Sequence, residues 1–242
     1  MGASGNRFDQ SLVMSEKYLT IALLLVSNFS FAQFAIIADK DGSANIRKDG
    51  NSNSKISDSL QNDHLIYCLE NKGNWTNIDY SKNGKELNGY VYKDRYKMVS
   101  TFLPIPVITK NETSVKLKKD SLEVTIMQSK FEKNKHKFKY YKEAAGQIEL
   151  IDNKQYWGTD GGIPKTQFEK ITLKIGGKII VLPKQATEGL YEPSLNSAGA
   201  YFDKDSNSFY IVTENSDGAG SYEVVWQIRN GVYTNRFVAY GF

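Results

Sequence analysis

The sequence predicts an all-β chain in two units, a small barrel followed by a second β-sandwich or open barrel. Three observations carry that expectation. Tyr and Phe number 15 and 12 among 242 residues, alongside many Ile, Val and Thr, and such side chains suit pleated, half-buried surfaces. Between Phe34 and Tyr92, short apolar runs alternate with Asn, Asp and Gly turn signals. Further on, Gly176-Gly177 and Asn230-Gly231 each separate two apolar runs, as the tight turns of β-hairpins do.

The N-terminal stretch is read as a signal region covering residues 1–32. Met1–Val13 is polar and patternless, and Met14 opens a more conventional leader, so translation starts at either methionine. Tyr18–Val26 is strongly apolar but too short to span a bilayer, which fits the core of a secretory signal. Ser30-Phe31-Ala32 places small residues where signal peptidase reads them, so the mature chain is expected to begin at Gln33. Export to the periplasm or the cell surface follows, with no membrane span left after cleavage. Glu16 offsets Lys17, which leaves a buried N-terminal helix as the alternative.

The first folded unit is placed at 33–100. Phe34–Ala38, Ala44–Arg47, Leu65–Leu69, Trp75–Tyr80 and Gly89–Tyr92 read as strands. Asp39–Gly42, Asp49–Ser54, Asn71–Asn74 and Asn83-Gly84 read as the connections. Strands this short cannot bury a face singly, so a compact barrel is the economical solution. Ile46, Ile56, Tyr67, Ile78 and Val91 are its expected interior, and Gly89 suits a close approach at a barrel corner.

The succession Ala44-Asn45-Ile46-Arg47, Lys55-Ile56, an aromatic-apolar strand, Asn74-Trp75, and Gly89-Tyr90-Val91 before Lys93-Asp94-Arg95 resembles bacterial SH3 domains. That resemblance implies peptide or cell-wall peptide (peptidoglycan) recognition. The aromatics Tyr67, Trp75, Tyr90 and Tyr92 are then the expected ligand contacts.

Thr101–Pro106 carries two prolines and marks a stiff linker over 101–107. Residues 108–242 form the second unit, read as β from Leu122–Met127, Ile171–Leu182, Phe209–Thr213 and Tyr222–Tyr240. Phe131–Ala145 is its one helix candidate, with a lysine-rich strand and loop as the alternative. With Tyr191-Glu192-Pro193 and two glycine-rich loops, this unit resembles C-terminal regions of SH3-containing exported proteins from Bacteroidetes-type bacteria.

The chemistry-bearing residues are sparse. Cys68 is the single cysteine and sits in an apolar run, where a small buried hydrophobe is the ordinary reading. His64 and His136 are the two histidines, and His136 lies in a basic run expected to face solvent. Neither a Cys–His nucleophile nor a zinc ligand set is recognisable, so a non-catalytic protein without cofactor is expected. A wall-associated hydrolase of unrecognised type, built on two converging carboxylates, is the enzyme alternative. The net charge of +4 is mild, and no basic tract interleaves with aromatics as a nucleic-acid platform requires.

Three polar segments remain. Asp203, Asp205, Asn207 and Glu214 match positions one, three, five and twelve of an EF-hand loop, but the sixth position is Ser208 rather than Gly. A polar hairpin turn is the plainer reading. The loop Asn215–Tyr222 joins two strands and is expected to protrude, with Asp217 and Tyr222 as contact residues. It bears a loose likeness to the loops that periplasmic lysozyme inhibitors insert into their targets, so a protein-targeting inhibitor or immunity-type factor is the rival function, with a protein as partner. Tyr156–Pro164 runs from an aromatic pair into glycines, and Trp157 with Asp160 are expected to line a cleft.

Overall fold

The computed structural model describes Met1 and residues 34–241. The expected signal core, Met14 start and cleavage site all fall within 2–33 and lie outside the described residues. The chain is nearly all-β, and the helical elements among the described residues are short 3-10 turns. No helix among them is long and apolar enough to cross a membrane.

Seven strands form the first sheet: β1 (Phe34–Ile37), β2 (Ser43–Arg47), β3 (Ile56–Gln61), β4 (Leu65–Lys72), β5 (Trp75–Lys82), β6 (Lys85–Tyr92) and β7 (Tyr96–Met98). Their spatial order is β3-β2-β6-β5-β4-β1-β7, an antiparallel sheet that curls into a half-barrel. Asn83 and Gly84 both take positive φ, 54° and 71°, as the two-residue turn between β5 and β6 demands. Gly89 is required by contact: a Cβ there would lie 2.5 Å from Cγ2 of Ile46 and 3.0 Å from the Arg47 carbonyl. That close crossing lets β2 meet β6 at Arg47 and Tyr90.

The remainder runs β8 (Leu103–Pro104), β9 (Val107–Lys110), β10 (Ser114–Lys119), β11 (Leu122–Lys130), β12 (Phe138–Tyr140), β13 (Ile148–Ile151), β14 (Thr166–Ile175), β15 (Lys178–Val181), β16 (Gly199–Asp203), β17 (Ser208–Asn215), β18 (Tyr222–Arg229) and β19 (Val232–Tyr240). A second sheet has the order β15-β14-β11-β10-β9 and a third β19-β18-β17-β16-β8, while β12 and β13 pair alone. Both predicted hairpins, β14–β15 and β18–β19, are present.

Burial explains how the layers stack. Every residue of β1 is buried, because Ala35 and Ile37 fill the half-barrel while Phe34 and Ile36 point the other way. β4 repeats this, with Ile66 and Cys68 inside and Leu65 and Tyr67 outside. The outer set packs on Tyr210, Val212, Val225, Phe237 and Ala239 of the third sheet. That sheet is buried on its other face too, where Ile211, Val224, Trp226 and Ile228 meet Val115, Val124 and Ile171 of the second sheet. Strands covered on both faces lose the apolar-polar alternation of half-exposed ones.

Several expectations change accordingly. Residues of the two sequence units share a core, and 34–241 fall in one compact body. The expected linker pairs with β16 through Leu103–Pro104 and buries Ile105 in the second core. Ile56, expected inside, is 46% exposed, because β3 lies at the open edge of its sheet. Tyr67 is buried, but on the face turned away from the half-barrel. Phe131–Ala145 carries one 3-10 turn and β12 rather than a helix, the lysine-rich strand and loop of the alternative reading.

Candidate functional site

Two surfaces gather the residues picked from sequence. The first lies on the outer face of the first sheet. Trp75 stands opposite Tyr92, and Asn77 opposite Tyr90, across the β5–β6 ladder. Side chains two apart on a strand share a face, so Tyr90, Tyr92 and Trp75 project together while Gly89 and Val91 face the half-barrel. The Trp75 and Tyr92 rings meet edge to face at 5.2 Å, and the Arg47 guanidinium lies 5.6 Å from the Trp75 ring centre. Arg47 is steadied by donating to the Ser54 carbonyl at 2.5 Å. All three rings are half-buried, leaving part of each to solvent. Lys72 and Asp49, paired at 2.6 Å, flank the strip on the side of Tyr90.

The second surface is a cleft of about 810 Å³ in the other half, walled by the loops 158–163 and 216–220. Asp160 and Asp217 both line it. Gly158 adopts φ 111°, and a Cβ there would lie 2.3 Å from the Tyr191 carbonyl oxygen. Gly220 is equally constrained, since a Cβ would stand 2.9 Å from Cα of Thr159. Gly220 thus packs on the backbone of the facing wall and Gly158 on the backbone of Tyr191, and a side chain at either would clash.

Hydrogen bonds fix this arrangement. Ser216, at φ 61°, donates from its hydroxyl to the Gly158 carbonyl at 2.7 Å and from its N–H to the Glu192 carbonyl at 3.1 Å. The Glu192 carboxylate accepts from the Lys165 N–H and from the Thr166 hydroxyl, the latter at 3.0 Å. Asn215 accepts the Ser194 N–H at 3.1 Å. The 215–222 loop, expected to protrude, is instead tied at both ends, and only Asp217, Gly218 and Ala219 are exposed.

Tyr222 is no contact residue. It is fully buried beneath the loop, its hydroxyl donating to the Tyr191 carbonyl at 2.9 Å. Trp157 is half-buried and lies against Tyr240 at 4.6 Å, on a groove adjoining the cleft rather than inside it. Tyr67, expected on the ligand face, is also buried and donates to the Glu223 carboxylate at 2.9 Å. Of the eight sequence-picked contacts, three therefore share the aromatic strip and two share the cleft.

The calcium candidates do not converge. Asp203 accepts the Asp205 N–H at 3.0 Å and the Ser206 hydroxyl at 2.6 Å, closing its own turn. Glu214 sits at the far end of β17, six residues beyond Ser208, or about 20 Å along an extended strand. Among the described residues no group of three or more His, Cys, Asp or Glu is arranged to hold a metal ion.

His136 is not solvated as expected. It stacks on Phe131 at 4.4 Å and pairs with Asp152 at 2.7 Å. Burial pushes the Cys68 thiol up to about 12, in keeping with a packing role. Arg47, Glu192 and Ser216 lie in segments singled out from sequence without being picked as contacts, whereas Glu112 and Gln128 carried no sequence signal, because only long-range pairing brings them to the cleft.

The fold defines the chain as a layered, nearly all-β protein with two candidate binding surfaces. In comparisons it matches no protein-family model, no curated protein and no solved structure.

Proposed function

We propose that this chain is an exported, non-catalytic binding protein of the periplasm or cell surface, whose first sheet recognises a peptide or cell-wall peptide. The observation that carries the reading is the strip of Trp75, Tyr92 and Tyr90 with Arg47 against it. Three aromatic rings on one outer face, each partly open to water, offer flat apolar area with polar tips. Arg47 adds a donor fork next to the largest ring. The residues that resemble bacterial SH3 domains lie in this sheet, and Gly89 has the close-approach role expected of it. A rigid ladder holds the strip, so little side-chain freedom is lost on binding.

Co-sedimentation with purified peptidoglycan tests the reading. Salt-resistant retention that Trp75→Ala and Tyr92→Ala each abolish, with unchanged melting temperatures, is the expected result. No retention, or retention indifferent to both substitutions, overturns it. Stoichiometric capture of a hydrolase through Asp217, without wall binding, points instead to the inhibitor class.

A further inference from the structure

The third sheet ends on β19, which pairs with β18 on one side only. Along such an edge strand, residues that give their backbone groups to the neighbour alternate with residues that turn them outward. Asn235 Oδ1 accepts the Arg236 N–H at 2.8 Å, so that N–H points to the free side. Val238 and Tyr240 follow at two and four residues with no further register shift, and they face the same way. Gly241, of the opposite parity, donates inward to the Ser221 carbonyl. A register shift between Gln227 and Ile228 and the Asn235 cap guard the first half of this edge. The second half has no such guard: among the described residues the Val238 and Tyr240 N–H groups have no hydrogen-bond partner.

That unguarded half lies at the bottom of a slot of about 220 Å³. The four consecutive residues Phe237–Tyr240 line it, and β18 contributes none. Successive side chains point to opposite faces of a strand, so four in a row border one space only along the backbone edge. The edge in question is the free one, because β18 occupies the other. One wall is the β5–β6 hairpin, with Asp79, Glu86, Leu87 and Asn88. The other is Trp157, whose ring lies 4.6 Å from that of Tyr240. Phe237 and Ala239 turn toward the first sheet, and Tyr240 turns toward Trp157. A strand laid on this edge would present its own side chains alternately to the same two walls. The hairpin wall is acidic, since Asp79 and Glu86 line the slot and no basic residue does.

We propose that the slot takes an extended peptide segment of a partner protein, added as a further strand on β19, with apolar residues toward Trp157 and basic residues toward Asp79 and Glu86. Main-chain bonds to Val238 and Tyr240 supply the attachment, and the alternate side chains supply the selectivity. The charge of the hairpin wall favours a basic segment over an acidic one. Four residues of strand span about 13 Å, which is enough to set a register. The site does not rest on the reading of the aromatic strip, because it is built on the backbone of the third sheet.

An amide-resolved NMR titration of the full chain with acetyl-Lys-Val-Lys-Val-Lys-amide tests this, with acetyl-Glu-Val-Glu-Val-Glu-amide as the opposite-charge control. The lysine peptide is expected to bind and to slow solvent exchange of the Val238 and Tyr240 amides. The glutamate peptide should bind at least tenfold more weakly. Only alternate residues of an added strand turn their N–H groups to β19. N-methylating the valines in one peptide and the lysines in another should therefore abolish binding in one case and spare it in the other. Glu86→Lys should weaken the lysine peptide at least tenfold at an unchanged melting temperature, because Glu86 is exposed. Glu169→Lys makes the same charge change outside the slot and should leave affinity within twofold. The proposal is overturned if the lysine peptide does not bind, if it binds without protecting those two amides, or if the two methylated peptides behave alike. Equal binding of the two charges overturns it, as does a Glu86→Lys protein that binds like the parent or like Glu169→Lys. Self-association of the free chain that protects the same amides also overturns it, by making a second copy the occupant.

Discussion

Glu223 should make the protein lose stability as pH rises through neutrality. The residue is 4% exposed and lies where the third sheet packs on the first. One carboxylate oxygen accepts from Tyr67, and the other has no hydrogen-bond partner. Burial, with Glu214 directly across the β17–β18 ladder, raises its pKa from 4.5 to about 7, the Tyr67 bond opposing only in part. The folded state therefore holds a proton that the unfolded state has released between those two values. Stability contributed by this site is full below pH 4.5 and falls as pH climbs, levelling off once the folded carboxyl has ionised. A rise of that size is worth about 3 kcal/mol in total, and about 2.5 kcal/mol of it falls between about pH 5 and pH 8. Urea unfolding across that window measures it. Glu223→Gln keeps the shape, removes the titration, and should flatten the pH dependence by that amount relative to the parent. Tyr67→Phe leaves the carboxylate with no donor at all and should steepen the loss. An unchanged slope in Glu223→Gln would refute the reasoning, because the burial of this carboxyl would then have no thermodynamic consequence.

Two glycine substitutions test the contacts that shape the sheet and the cleft. Gly89→Ala sets a methyl against Ile46 and the Arg47 carbonyl, and should cost about 1–3 kcal/mol in urea unfolding as β2 is pushed from β6. Gly158→Ala meets both a left-handed φ and the Tyr191 carbonyl oxygen, so it should cost more, about 3 kcal/mol or above, and should also weaken any cleft ligand.

The strands were legible where one face is buried and the other wet, and where a turn has strict chemical needs. The β14–β15 and β18–β19 hairpins follow from Gly176-Gly177 and Asn230-Gly231, because the tight turn accepts few residues. β10 was missed although Val115 and Leu117 alternate with lysines, since the run carries three lysines and few β-formers. The double-sided burial of β1 and β4 was not legible, because an apolar run does not say which of two cores each side chain enters. That is why Tyr67 was read both as barrel interior and as a ligand contact: the partner that covers it, Glu223, is 156 residues away.

The cleft illustrates the same limit from the other side. Its two walls were each visible as glycine-rich segments, and Asp160 and Asp217 were singled out on them. What no local pattern conveys is that Gly158 and Gly220 exist to let those walls touch Tyr191 and Thr159 respectively. Glycine in a loop reads as freedom, whereas here it permits close packing that fixes the loop. Once the walls are fixed, Glu112 from the β9–β10 turn and Gln128 from β11 join the lining through proximity alone. Charge then accumulates in a concave place on a chain that is otherwise basic, and screening by solvent is weaker there than on an open face. A site of this kind is a property of packing, so its test lies in ligand binding by the intact fold and not in the sequence of either loop.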